Sequence, residues 1–264
     1  MRQVDGLPLA GKTALITGGA RGLGRMTAEW LASLGCAVAV NYVRSEDAAL
    51  DVVRAIRSAG GRAAAVRGDV ADRAAARSIV ETAERELGAG IDILVNNAGP
   101  FVRERRLFAD SPEEEMEMLV QANLLGAMRL DRLVIPGMRA RGWGRIIHFG
   151  FVRSAEARGW PHRAAYAAAK AGLVSLTKTL AAEEASFGIT VNMICPGDIR
   201  GGMKERRIDD ALGTSDPEAP GRRPGTGEDV ARVIAFLCDP RSDYITGCII
   251  DVSGGFDPIR YQFR

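Results

Sequence analysis

The chain has little of what metal centres and disulfide frameworks are made from. Its 264 residues include four cysteines and two histidines. Cys36, Cys195, Cys238 and Cys248 are far apart and form no C-x-x-C or Cys/His ligand spacing, which leaves no case for a structural zinc site. Three of the four sit inside apolar runs, as small buried thiols of a reducing compartment do. Charge of one sign is also lacking: 35 Lys and Arg face 33 Asp and Glu, the net charge is +2, and the arginines are scattered. That balance argues against a nucleic-acid surface. Nowhere do about 18 apolar residues run together, and residues 1–10 contain no apolar signal core, so no membrane partner and a cytoplasmic location are expected. Internal repeats and low-complexity linkers are absent too.

What is present is an alternation of short apolar runs with longer amphipathic segments, the pattern of a βαβ array. Strands are expected over 13–17, 37–41, 63–67, 91–95, 145–149, 189–194 and 247–252. Helices are expected over 25–34, 46–58, 73–87, 111–139 and 163–186, with another from Thr226 to about Asp239. Ser111-Pro112-Glu113-Glu114 reads as an N-cap serine, a proline at the first helical position and a glutamate at the third. Thr226-Gly-Glu-Asp229 reads as a second cap. Residues 196–225 are rich in Gly, Pro, Arg and Asp with weak periodicity, and a mobile lid at about 198–225 with at most a short helix is expected. The whole implies one domain over 1–264, a doubly wound (Rossmann) seven-stranded parallel sheet with helices on both faces. Ligands of such sheets lie beyond the carboxyl ends of the strands, which brings 17–24, 96–99, 150–154 and 196–202 to one edge.

Two stretches on that edge carry chemistry. Strand one runs into Thr17-Gly-Gly-Ala-Arg-Gly-Leu-Gly24 and then a helix, so glycines let a pyrophosphate approach amides at a helix N-terminus. Tyr166 and Lys170 stand four residues apart in an Ala-rich segment, on one face of a helix. An exposed, unremarkable pair would show the same spacing. Taken with Asn96-Asn-Ala-Gly99, Asn123, Pro196-Gly197 and Tyr244-Ile-Thr-Gly247, in this order and spacing, these motifs resemble those of the short-chain dehydrogenase/reductase family over about residues 10–256. The resemblance is greatest to reductases of the 3-oxoacyl-carrier-protein type.

The resemblance implies roles. Tyr166 would exchange a proton with the oxygen of a small carbonyl or alcohol substrate while hydride moves between nicotinamide and the substrate carbon. Lys170 would lower the phenol's pKa from its usual value near 10 and hold the nicotinamide ribose. Asn123 would kink its helix and hold a relay water. Gly18, Arg21, Gly22, Leu23 and Gly24 would cradle the pyrophosphate, Asp69 and Val70 the adenine, and Asn96, Ala98 and Gly99 the adenosine ribose. Pro196, Gly197 and the backbone of Ile199 would hold the carboxamide. A homotetramer is implied as well, built on the helices over 111–139 and 163–186 and the last strand. The aromatic tail, with Phe256, Tyr261 and Phe263, would pack on a neighbour. NADP(H) is the expected cofactor because the second strand ends without the carboxylate that binds NAD ribose hydroxyls, whereas Arg44 and Ser45, aided by Arg21, suit a 2′-phosphate. Alternatively Arg44 is a solvated loop residue.

The family's catalytic serine is missing. Counting back from Tyr166 lands on Arg153 and counting forward from strand five lands on Phe151. Ser154 is the one hydroxyl of a loop longer than usual, and a rearranged path could bring it to the substrate oxygen; otherwise His148, His162 or Arg153 could supply that hydrogen bond, or none does. His148, inside a strand, also reads as a satisfied structural histidine. Trp160-Pro161-His162 could wall the substrate pocket. Arg153, Arg200, Arg206 and Arg207 near the mouth suggest an anionic or strongly polar substrate, unless they serve solubility. Against a dehydrogenase stand two rivals: a cofactor-binding sensor or scaffold without turnover, and a lyase or epimerase on the same fold.

Overall fold

A computed structural model describes residues 6–257 and residue 259. Seven runs form strands: Thr13–Ile16 (β1), Ala37–Tyr42 (β2), Ala63–Arg67 (β3), Ile93–Asn96 (β4), Gly144–Phe149 (β5), Ile189–Pro196 (β6) and Ile249–Val252 (β7). They pair in the order β3-β2-β1-β4-β5-β6-β7, and every ladder is parallel. Every residue of β1, β2, β4 and β5 is buried, as a parallel sheet covered on both faces requires. Alternation sorts the side chains: Ala14 and Ile16 enter the core beneath α1 (Gly22–Ser33), α2 (Glu46–Ser58) and α7 (Gly227–Cys238). Leu15 enters the opposite core, beneath α3 (Arg73–Leu87) and α5 (Gly126–Arg141). The expected doubly wound sheet with helices on both faces is therefore what the chain forms. Strand order reverses between β1 and β4, and the cleft opens there.

The segment expected to be one helix over 111–139 is α4 (Glu113–Val120) joined to α5 by a π-helical turn, Gln121–Leu125. Pro112 does not begin it, because its ψ of 140° is extended, and Ser111 does not cap it. The Ser111 hydroxyl donates instead to the Leu107 carbonyl. The second cap forms as expected: Thr226 Oγ1 accepts from the Asp229 amide while Asp229 Oδ2 accepts from the Thr226 amide. Within 198–225 only short 3-10 turns occur, Gly201–Glu205 and Asp209–Ala211. The helix carrying Tyr166, α6, spans Ala164–Glu184. Tyr261 and Phe263 lie outside the described residues, while Ile259 packs on Phe151 and Trp160.

Candidate active site

Asn123 sits at the centre of the π turn, where one extra residue per turn redirects a side chain. Its amide nitrogen donates to the Leu119 carbonyl and to the Pro100 carbonyl, both at 3.0 Å. Its Oδ1 is buried without a partner among the described residues. A Cβ on Gly99 would lie 2.3 Å from that Oδ1 and 3.5 Å from Lys170 Nζ. The carbonyl of Asn123 and the ammonium of Lys170 thus converge on one space, which only glycine at position 99 leaves open. Lys170 is buried, and its Nζ stands 5.8 Å from the Tyr166 ring centre.

Tyr166 itself is half-buried, with Phe101 edge-on at 5.0 Å and Phe151 and Trp160 at 6.0 and 6.1 Å. Burial pushes its phenol above the ordinary value, and burial pulls Lys170 down to about 8. The expectation that Lys170 depresses the tyrosine is therefore not met. Both groups have left water together, and desolvation outweighs what the ammonium supplies.

The glycine turn is held from three sides. Asn97 Nδ2 donates to the carbonyls of Thr17 (2.8 Å) and Gly18 (3.1 Å), Thr17 Oγ1 accepts from the Ala98 amide (2.9 Å), and Asn41 Oδ1 accepts from the Gly18 amide (3.3 Å). A Cβ on Gly24 would lie 2.4 Å from the Gly18 carbonyl oxygen, so the helix start is packed directly on the turn. Beside it, Arg21 is hydrogen-bonded to Ser45, and Arg21, Arg44 and Ser45 share the wall of a cavity of about 320 Å³. A glycine turn at a helix start, with Arg21, Arg44 and Ser45 lining a pocket at its flank, fits a dinucleotide.

Other expected contacts are placed differently. Asn96 does not face the cleft: its Nδ2 donates to Asp131 Oδ1 at 2.8 Å, deep in the core. The strand's alternation turns Asn96 inward and leaves Asn97, which sequence reasoning passed over, to hold the turn. Ala98 and Gly99 do line the cleft edge, half-buried and exposed. Asp69 is exposed, and its Oδ1 accepts from the Ala71 amide at 2.9 Å; Val70 is buried against Gly126. Leu23 packs on the core, and Pro196 ends β6. The Ile199 amide is already engaged by the Gly197 carbonyl at 2.9 Å, so it is not free to serve a carboxamide in this conformation.

Ser154 is not at Tyr166's hydroxyl in any bond it makes. It is buried in a 3-10 turn, Ser154–Glu156, with Oγ 3.3 Å from Cys195 Sγ. The longer loop curls through left-handed residues Arg153 and Ala157 and seats the serine against the end of β6, and the Phe151 ring lies 6.0 Å from that of Tyr166. His148 is fully buried between Thr177 Oγ1 (2.8 Å) and Asp131 Oδ2 (3.0 Å), a structural histidine. His162 Nδ1 donates to the Arg106 carbonyl, and Trp160 lines a cavity of about 250 Å³ together with Tyr166. Arg153 is paired with Glu156 and Asp257, and Arg200 with Asp198 and Glu218, so both guanidiniums expected to meet an anionic substrate are neutralised within the chain.

A parallel sheet of this order, with a dinucleotide cradle facing a tyrosine and a lysine across one cleft, belongs to the nucleotide-dependent dehydrogenases and reductases. Residues 18–257 match the family model described as enoyl-(acyl carrier protein) reductase, and the chain belongs to the short-chain dehydrogenase/reductase family. It is similar to the "Putative oxidoreductase YtkK" of Bacillus subtilis, with 47% identity over 93% of this chain and 96% of the relative. A solved structure titled "putative 3-oxoacyl-reductase", from Bacillus thuringiensis, superposes with a TM-score of 0.87 at 46% identity, over 94% of this chain and 99% of that one. A blue fluorescent protein from a metagenomic library, solved with NADPH, superposes at 0.82 with 33% identity, over 94% and 99%. Among the described residues no helix is long and apolar enough to cross a membrane, and no group of three or more His, Cys, Asp or Glu could hold a metal ion.

Proposed function

We propose that the chain is an NADP(H)-dependent reductase of a small carbonyl compound, with Tyr166 as proton donor. The observation that carries this is the convergence of Asn123 Oδ1 and Lys170 Nζ on the space over Gly99, one helical turn from Tyr166. Gly18, Arg21, Gly22, Leu23 and Gly24 would hold the pyrophosphate. Arg44, Ser45 and Arg21 would hold the 2′-phosphate, Asp69 and Val70 the adenine edge, and Ala98 and Gly99 the neighbouring ribose by their backbone. Lys170 would hold the second ribose, and Pro196, Gly197 and Ile199 the carboxamide once the 197–199 turn opens.

A nicotinamide held there would supply hydride to a carbonyl carbon. Tyr166 gives its proton to the carbonyl oxygen, and the Lys170 ammonium stabilises the phenolate left behind. A phenol held protonated by burial is a proton donor at neutral pH. Asn123 Oδ1, an acceptor with no partner among the described residues, would hold the water that returns a proton through Lys170. Oxidation of NADPH with a panel of ketones, β-ketoacyl thioesters and ketosugars tests the reading: Tyr166→Phe is expected to abolish it, and turnover that survives the substitution refutes it. The engagement of Ser154 by Cys195 favours one rival, cofactor binding without turnover; tight NADPH binding with no activity on the panel would establish that instead.

A further inference from the structure

The first turn of α1 is where the glycine turn delivers its amides, and the chain already sets an anion of its own there. α1 has no side-chain cap and no acidic residue in its first turn, so no neighbouring side chain answers those amides. Gly22 is satisfied instead from 183 residues further along: its amide donates to Glu205 Oε1 at 2.6 Å. The other Glu205 oxygen lies 3.7 Å from Arg25 Nη1, and Arg25 is steadied by Glu29 at 2.8 Å from its Nε. An amide at the positive end of a helix, with a guanidinium beside it, is a setting that a phosphate also takes.

Glu205 ends the 3-10 turn Gly201–Glu205, and that turn is firmly seated between α1 and α7. Met203 packs on the core, and the Lys204 stem lies over Gly22. A Cβ on Gly227 would stand 2.0 Å from the Lys204 carbonyl oxygen, and the Arg206 carbonyl accepts from the Glu228 amide at 3.3 Å. The backbone thus holds the carboxylate against α1. The side chain itself is more than a third exposed, so it can turn into water without the turn being dismantled.

We propose that Glu205 is an internal competitor for the dinucleotide. In the free protein its carboxylate fills the place beside Gly22 and Arg25 that the pyrophosphate takes on binding, and it turns out as the cofactor enters. One amide hydrogen does not serve two anions at full strength, and a carboxylate left facing the phosphates would repel them. The proposal rests on the glycine turn being the dinucleotide cradle. A Glu205 that merely capped α1 would have the reverse effect on binding, because losing it would loosen the cradle.

Thermal melts of the free protein and fluorescence titration with NADPH, on the unsubstituted chain, Glu205→Gln and Glu205→Ala, separate the two. Competition requires opposite signs. Without ligand both variants should melt lower, and both should bind NADPH roughly tenfold tighter, as when the binding-competent fraction rises from about one-tenth to nearly all. Affinity that is unchanged or weaker in both variants overturns the competition, and so does a free protein that melts no lower without the carboxylate. Binding by none of the three proteins overturns the cofactor reading, and the competition with it. A structure with NADPH bound needs no variant: Glu205 Oε1 should be out of reach of the Gly22 amide, and a bond kept there beside bound cofactor refutes the displacement.

Discussion

Gly99→Ala tests the geometry at its tightest point. The new methyl carbon would stand 2.3 Å from Asn123 Oδ1 and 3.1 Å from its Cγ, about 1 Å inside ordinary contact. Asn123 cannot swing away freely, because its Nδ2 is bonded to the carbonyls of Leu119 and Pro100. Relief means losing one such bond, about 1 kcal/mol, or accepting overpacking of about 1–3 kcal/mol. A net loss near 2 kcal/mol lowers Tm by roughly 4–8 °C in a chain of this size. Because a displacement of about 1 Å at reacting groups can cost about a hundredfold, kcat is expected to fall by that order. NADPH affinity should fall less than kcat, since the methyl meets the ribose contacts of Gly99 and Lys170 but leaves the glycine turn and the Arg21 pocket in place. Turnover, titration and thermal melts on the same preparation measure all three. A variant with wild-type kcat would show that Asn123 and Lys170 do not act through the space over Gly99.

Other outcomes follow from single features. Reduction should decline as pH rises through about 8, where the buried Lys170 loses its proton, and a pH profile of kcat/KM measures it. Stability should move the opposite way: between about 8 and 10.4 the unfolded chain binds the proton that folded Lys170 has lost, so chemical denaturation should show the fold gaining stability with pH across that window. Thr226→Ala removes the capping box of α7 and should cost about 1 kcal/mol in denaturant titrations. Asp131→Leu strands the Asn96 amide and the His148 ring and should cost roughly 3–5 kcal/mol, the loss expected when one partner of a buried pair is removed. Arg44→Ala should weaken NADPH binding while leaving NADH binding nearly unchanged, and parallel titrations decide it.

The sheet was legible because its evidence is local. Apolar runs such as 145–149, bounded by Gly144 and Gly150, are separated by helical periods, and topology rules leave few ways to wind them. Tyr166 and Lys170 were legible for the same reason, one helical turn being a local fact. What escaped depends on partners far away in sequence. Two asparagines stand side by side at 96 and 97, yet one faces Asp131 and the other Thr17 and Gly18, and only the register of β4 decides which. Ser154 could be singled out as the loop's hydroxyl, but its partner, Cys195, lies on another strand. A kink at Asn123 was implied by the resemblance, but its form, a π turn whose Asn123 amide reaches Leu119 and Pro100, is not marked in an Ala- and Leu-rich stretch. Ser111 shows the reverse failure, a complete local cap signal overridden by the extended ψ of Pro112.

The buried chain of bonds from Asn96 through Asp131 and His148 to Thr177 joins β4, α5, β5 and α6. Its members emerge from the ribosome in that order, so the end of β4 stays without its anchor until α6 has been made and docked. A nascent chain can pair β1, β2 and β3 early, but the nucleotide edge that β4 contributes is finished only with the second half. Fragments ending before residue 177 should therefore bind dinucleotide poorly, even though they contain the whole glycine turn. For this protein, half a cofactor site is not a smaller site but an unfinished one.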